Sequence, residues 1–242
     1  MRQLRASKSD AEAISGQNRP RMMCSIDSAR NGLRSGIIPE HWRRPATSRR
    51  WVSRGTFLPL SIADAVEDLY VAHWGNPSRR AHFEEEQFAI DVLKWDEATT
   101  AEGVTLYATV GSSTSIAEPA GGHLVEFVLG LLPSRDEVAT SLAGLGLYAA
   151  HNETTLDHGH TVPADGPLWP GTMIHTFLVA RPLPDFLPPL VLPERVHVEF
   201  LQAIPIFDSE RAYKSERGTE ALLSLWESQQ VRFWDPDRAP VP

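Results

Sequence analysis

The chain has 242 residues, 42% of them hydrophobic, which is enough apolar material for a sizeable core, yet its longest clean apolar run, Phe127 to Leu132, is far too short to cross a bilayer. Its single cysteine, Cys24, excludes an internal disulfide framework and fits a reducing cytoplasm. The net charge of -8 is unevenly spread: residues 1–54 hold 12 Arg and Lys against 4 Asp and Glu, leaving 11 against 27, a balance of -16, for residues 55–242. A domain that acidic repels phosphate backbones and attracts cationic surfaces, so a basic protein fits it as a partner better than nucleic acid or an anionic membrane.

Residues 1–54 are rich in Arg, Ser and Gly and show no stable apolar period. They read as a disordered basic leader or as translation from a start upstream of the true one, with Met22 and Met23 as later candidates; the composition is also compatible with a targeting segment. The folded region, residues 55–242, is expected to begin with a helix capped by Ser61 and Asp64, striped by Ile62, Val66, Leu69 and His73, and ended by Gly75-Asn76-Pro77. Alternation then predicts strands through Phe88, Ile90 and Val92 and through Val104, Leu106, Ala108 and Val110, with Thr105, Tyr107 and Thr109 on the other face. A turn-rich loop over 111–122 leads to a third strand, Leu124 to Leu132.

Ser134 and Glu137 predict a second capping box, opening a helix through Val138, Leu142, Leu145 and Ala149. Residues 150–171 read as a loop, followed by strands Met173–Ala180 and Val196–Ala203 on either side of a proline-rich connection. Asp208 is expected to cap a helical stretch, and Ala221, Leu222, Leu225 and Trp226 form the stripe of the last helix. This order predicts a single α+β domain with a largely antiparallel or mixed sheet flanked by helices.

Several segments in this order resemble the suppressor-of-fused-like domain family: Gly122-His123-Leu124-Val125-Glu126-Phe127, Leu145-Gly146-Leu147-Tyr148, Gly159-His160-Thr161-Val162, Phe200-Leu201-Gln202, Glu220-Ala221-Leu222-Leu223 and Asp235-Pro236. The resemblance runs from about Phe57 to Arg238 and rests on the order and spacing of these motifs. It implies a domain that binds other proteins and performs no chemistry. The animal member holds a transcription factor in Hedgehog signalling, whereas stand-alone bacterial members are associated with immunity proteins that neutralise toxins. The resemblance assigns partner binding to Tyr148, Gly159, His160 and Thr161. Where the animal protein carries an aspartate this chain has His160, which implies a different ligand.

Enzyme readings are weaker. His151, Asp157, His158 and His160, with His175 from the next strand, carry metal-ligand chemistry, and a metal-dependent hydrolase built on His151, His158 and His160 is the alternative function. The spacing suits no dedicated site, so no metal, no cofactor and no catalytic residue are expected. Gly144, Gly146 and Ala149 satisfy a dinucleotide-binding string, but inside a helix. Gly111-Ser112-Ser113 lacks the frame of a nucleophile elbow, Glu84 to Glu86 read as the solvated start of a strand, and Trp74, Trp95, Trp169, Trp226 and Trp234 as packing. The sequence thus predicts a cytoplasmic protein-binding module, with a toxin as the expected basic partner.

Overall fold

Ser61 accepts the Asp64 N–H (3.1 Å) and Asp64 accepts the Ser61 N–H (3.2 Å), so the expected capping box opens α1 (Ile62–Trp74). The computed structural model describes residues 61–85, 88–115, 123–152, 154–183, 186–193 and 197–241, all in one compact unit; the expected leader and its boundary lie outside the described residues. The stripe that α1 buries is Val66, Tyr70 and Trp74, and Ile62 and Leu69 are left at its margin. Aromatic area decides the rotation. Tyr70 and Trp74 stack on each other (5.3 Å) and both meet Trp95, at 5.8 and 5.2 Å.

Eight strands form one open mixed sheet: β1 (Arg79–Glu85), β2 (Phe88–Trp95), β3 (Thr105–Val110), β4 (His123–Leu131), β5 (Thr161–Pro163), β6 (Thr176–Ala180), β7 (Leu190–Val191) and β8 (His197–Ile206). Their spatial order is β1-β2-β3-β4-β8-β6-β5, with β7 beside the start of β8. Every pair is antiparallel except β4 with β8. The α+β expectation holds, with three strands that the sequence reading did not place. β1 extends through Glu84 and Glu85, where only a solvated strand start was expected, and β5 and β7 lie within segments read as connections. β6 begins at Thr176 and leaves Met173 75% exposed. β8 runs on through Pro205, beyond Gln202 where the β4 pairing ends, so the proline sits where the strand has one neighbour.

Helix α2 (Val138–His151) covers one face of the sheet, packing Leu142, Leu145 and Ala149 on Ile90, Tyr107, Phe127 and Val179. Gly146 lets it approach: a Cβ there would stand 2.6 Å from Ile90 Cδ1, which accounts for this glycine of the dinucleotide-like string as a packing residue. On the opposite face α1 covers Leu93, Trp95, Leu106 and Phe200, while α4 (Thr219–Ser228) and the chain after it cover Leu178, Ile204 and Ile206 with Leu222, Trp226 and Val241. β3 is therefore buried on both faces, and its Thr109 and Tyr107 point into the protein and not to water.

The second expected capping box is not formed. Glu137 makes no cap bond and the helix begins only at Val138. Residues 134–137 are held instead by the sheet, since Asp136 accepts from Tyr107 Oη (3.0 Å), Lys94 (2.7 Å) and Arg79 (3.0 Å), and Tyr107 Oη accepts the Arg135 N–H (3.1 Å). These partners, Lys94 first, hold the Asp136 carboxyl below its ordinary range. At α3 (Asp208–Arg217) the expected cap also shifts: Phe207 is the cap, Asp208 is the first helical residue, and Glu210 accepts the Phe207 N–H (3.0 Å). Gly218, at φ 91°, separates α3 from α4.

Two buried carboxyl groups depend on these elements. Glu126, in the middle of β4 and fully buried, accepts from Thr109 Oγ1 (2.6 Å), Ser113 Oγ (2.6 Å) and the N–H groups of Gly111 and Ser113 (3.0 Å each). Burial raises its carboxyl above the ordinary range against the pull of those donors, and Tyr70, which donates to the Thr109 carbonyl (3.2 Å), is pushed up by burial and then by Glu126. Glu210 is likewise buried and binds Arg238 through both oxygens (2.5 and 2.7 Å), while Arg238 also donates to the Pro205 carbonyl (3.1 Å) and lies over Phe207 and Trp226.

A carboxyl raised on folding contributes stability that is complete below its unfolded pKa and lost as pH rises through its folded one. The unfolding free energy from urea titration is therefore expected to fall more steeply, as pH rises above the ordinary carboxylate range, in the native protein than in Glu126→Gln, which copies the neutral form. Equal slopes would show that the donors keep Glu126 charged throughout. Arg238→Ala, which strands a buried carboxylate, is expected to cost about 3–5 kcal/mol in the same assay.

Candidate functional site

The residues assigned to partner binding fall at one end of the sheet and on the helix above it. Residues 157–160 form a tight turn in which Asp157 accepts the His160 N–H through its carbonyl (3.1 Å) and the His158 N–H through its carboxylate (2.6 Å). Gly159 adopts φ +87°, and its N–H reaches the Val179 carbonyl (2.8 Å). A Cβ at this position would lie 2.8 Å from Thr219 Oγ1 at the start of α4, so glycine is required twice over, by conformation and by space. Its part in the fold is to turn the chain into β5.

β5 is the last strand on this side, and among the described residues no strand pairs with its outer edge. Val179 N–H bonds the His160 carbonyl (2.8 Å) and Ala164 N–H bonds the His175 carbonyl (2.8 Å), so the two-residue alternation of an antiparallel pair turns Val162 inward as well. Thr161 and Pro163 then present their backbone groups outward. Pro163 has no N–H, which leaves Thr161 as the donor of this edge, with the Thr161 and Pro163 carbonyls as acceptors. Val162 and Leu156 belong to the core cluster under α2, and the half-buried Tyr148 ring packs against that same cluster. The Tyr148 carbonyl accepts from the N–H (3.1 Å) and Nδ2 (2.8 Å) of Asn152, which ends the helix.

The histidines do not converge. His158 Nδ1 accepts the Arg181 N–H (3.1 Å) and its Nε2 donates to Glu220 (3.0 Å), tying the turn to β6 and α4. His160 Nδ1 accepts the Asp157 N–H (3.1 Å), so the ring proton resides on Nε2 and the ring offers a donor where a carboxylate would offer an acceptor. His151 packs edge-on to Phe88 (5.8 Å), and Asp157 pairs with Arg181 (2.9 Å). Among the described residues no group of three or more His, Cys, Asp or Glu side chains is placed to hold a metal ion. Ser112 and Ser113 are buried, the first bonded to the Gly146 carbonyl (3.0 Å) and the second to Glu126. No helix of the described residues is long and apolar enough to cross a membrane.

The family model of the suppressor of fused protein (SUFU) matches residues 86–239, which is more than half of the chain and spans both Tyr148 and β5. The chain belongs to the suppressor-of-fused family. Among solved structures, a suppressor-of-fused homologue from Neisseria gonorrhoeae superposes with a TM-score of 0.56 at 18% identity, over 73% of this chain and 94% of that one. A Sufu–Fu complex matches with a TM-score of 0.55 at 19% identity, over 74% and 89%. Drosophila Suppressor of Fused matches with a TM-score of 0.52 at 16% identity, and there this chain spans 49% of the other's length. At these identities the likeness is one of fold. No curated protein matches the sequence.

The sequence reading missed β5 and the residues that brace it, Arg181, Thr219 and Glu220. A signal for the strand was present in Thr161-Val162-Pro163, a β-branched pair ended by a residue that cannot donate. Gly159→Ala is expected to lower stability by about 1–3 kcal/mol in chemical denaturation, and adding Thr219→Ala should recover the steric part and leave the backbone part.

Proposed function

We propose that this suppressor-of-fused protein is a binding module that neutralises a basic protein, a toxin of an immunity-type pair, by taking an extended segment of it onto the outer edge of β5 beside Tyr148. The observation that carries this reading is the open edge itself, where Thr161 offers one donor and two acceptors face outward with Pro163. An added strand gains main-chain hydrogen bonds there and is kept short by the proline, so side chains around the edge have to supply specificity. His160, a donor through Nε2, selects an acceptor on the partner, which separates this chain's ligand from one that meets an aspartate. The -16 balance of residues 55–242 draws a cationic partner over distance and weakens the complex in salt. A Sufu–Fu complex among the solved relatives supports protein binding as the family's mode of action.

The test uses the full chain as bait in lysate of its native cells, at low and then moderate salt, beside Thr161→Pro and the double variant Tyr148→Ala/His160→Ala. Thr161→Pro deletes the outward donor while sparing the bonds to β6. One basic protein is expected in stoichiometric yield with the native chain, and both variants should lose at least about tenfold in affinity, or ~1.4 kcal/mol. The captured protein should also harm growth when expressed without this chain. Undiminished capture by folded forms of both variants would move the interface away from β5.

A further inference from the structure

The other end of the sheet has a different chemistry. β1 is the terminal strand there, and among the described residues no strand pairs with its outer edge. Its sequence is Arg79-Arg80-Ala81-His82-Phe83-Glu84-Glu85, basic in the first two positions and acidic in the last two. Reversed, the same strand reads acid to base. Laid antiparallel on a second copy about His82, it places Arg79 opposite Glu85, Arg80 opposite Glu84 and Ala81 opposite Phe83, with His82 facing His82. We propose that two copies of this chain join through β1 in that register, forming one continuous sheet across a two-fold axis.

The faces agree with this arrangement. Phe83 packs against the cluster beneath α2 and Arg79 reaches Asp136 on that side, whereas Arg80 bonds Glu67 of α1 and Asp91 on the other. Directly opposed residues of an antiparallel pair share a face. One face of the junction would therefore carry the apolar Ala81–Phe83 contacts flanked by Arg79–Glu85 pairs. The other would carry the histidines flanked by Arg80–Glu84 pairs. The Arg79 side chain is 73% exposed and that of Glu84 77%, while Arg80, 43% exposed, would share its guanidinium with Glu67 and Asp91. His82 already has Asp91 on Nδ1 (2.6 Å) and Glu84 on Nε2 (3.1 Å), so the rings meet at the axis with their charge compensated.

Charged side chains on an edge strand generally guard it against association. This one separates its signs, so parallel in-register pairing sets like on like while the antiparallel register sets each arginine opposite a glutamate. The pattern selects one geometry and the occupant that supplies its complement, a second copy. The inference concerns the end of the sheet away from β5 and stands independently of partner binding.

Sedimentation of the full chain over a range of concentrations at low salt is expected to show a monomer–dimer equilibrium that weakens as salt is added. Arg79→Glu/Arg80→Glu and Glu84→Arg/Glu85→Arg should each raise the dissociation constant by at least about tenfold, because each makes its own edge single-signed. Mixed in equal amounts, the two variants should dimerise again, since every opposed pair is then complementary. Arg80 also holds α1, so Arg79→Glu and Glu85→Arg alone repeat the test with side chains less engaged in the fold, and circular dichroism confirms that each variant is folded. A native chain that stays monomeric, dimers unchanged in both variants, or folded variants that fail to associate on mixing would overturn the proposal.

Discussion

The seam between β4 and β8 is the constraint on which the rest of the structure depends. Residues 123–128 run parallel to 197–202, and this pairing joins an antiparallel set, β1 to β4, to a second one, β8 with β6 and β5. Parallel strands require a long crossover, and here it contains α2, β5, β6 and β7. The crossover lays α2 on one face of the sheet, which buries the polar side of β3, while Glu126 shares the opposite face with Leu124 and Val128 beneath α1. Loops could not satisfy these strands separately. The nest formed by Gly111, Ser113 and Thr109 exists because the carboxylate must be met where the sheet puts it.

The seam also fixes what each end of the sheet can do. Because β4 and β8 occupy the centre, β1 and β5 become the terminal strands, and both carry unpaired backbone groups on their outer edges among the described residues. Edge strands are a hazard that proteins manage through length, proline and charge. At β5 the management is three residues with a proline, leaving a single outward donor, which suits a short and selective partner segment. At β1 it is charge, split by sign along seven residues. Both solutions limit indiscriminate pairing without closing the edge.

The bracing of β5 shows how an edge strand is held by residues distant in the chain. His158 is occupied on both ring nitrogens, by Arg181 and Glu220, and Gly159 has no space for a side chain against Thr219. These contacts come from β6 and α4, far along the chain, and they fix the turn from which His160 and Thr161 project. The histidines that lie close in the chain make separate contacts in three dimensions, His158 and His160 through hydrogen bonds and His151 against Phe88.

Some of the protein was legible in the sequence because the cause was local. The Ser61 capping box, the apolar stripes of α2 and α4, the alternation of β2 to β4 and the motifs of the suppressor-of-fused family all depend on neighbours within a few residues or on their order. Where a distant partner competes, the sequence misleads. Ser134 and Glu137 carry a cap signal that is overridden because Tyr107, Lys94 and Arg79 hold Asp136 from the sheet. The alternation of β3 sets Thr105, Tyr107 and Thr109 on a second, more polar face, and only the tertiary structure shows that this face is buried too. The sequence by itself determined the helices, most of the strands and the family, since those follow from short-range pattern; the parallel seam, the two open edges and the separation of the histidines were decided by tertiary structure, because strand order and long-range hydrogen bonding have no signature within one segment.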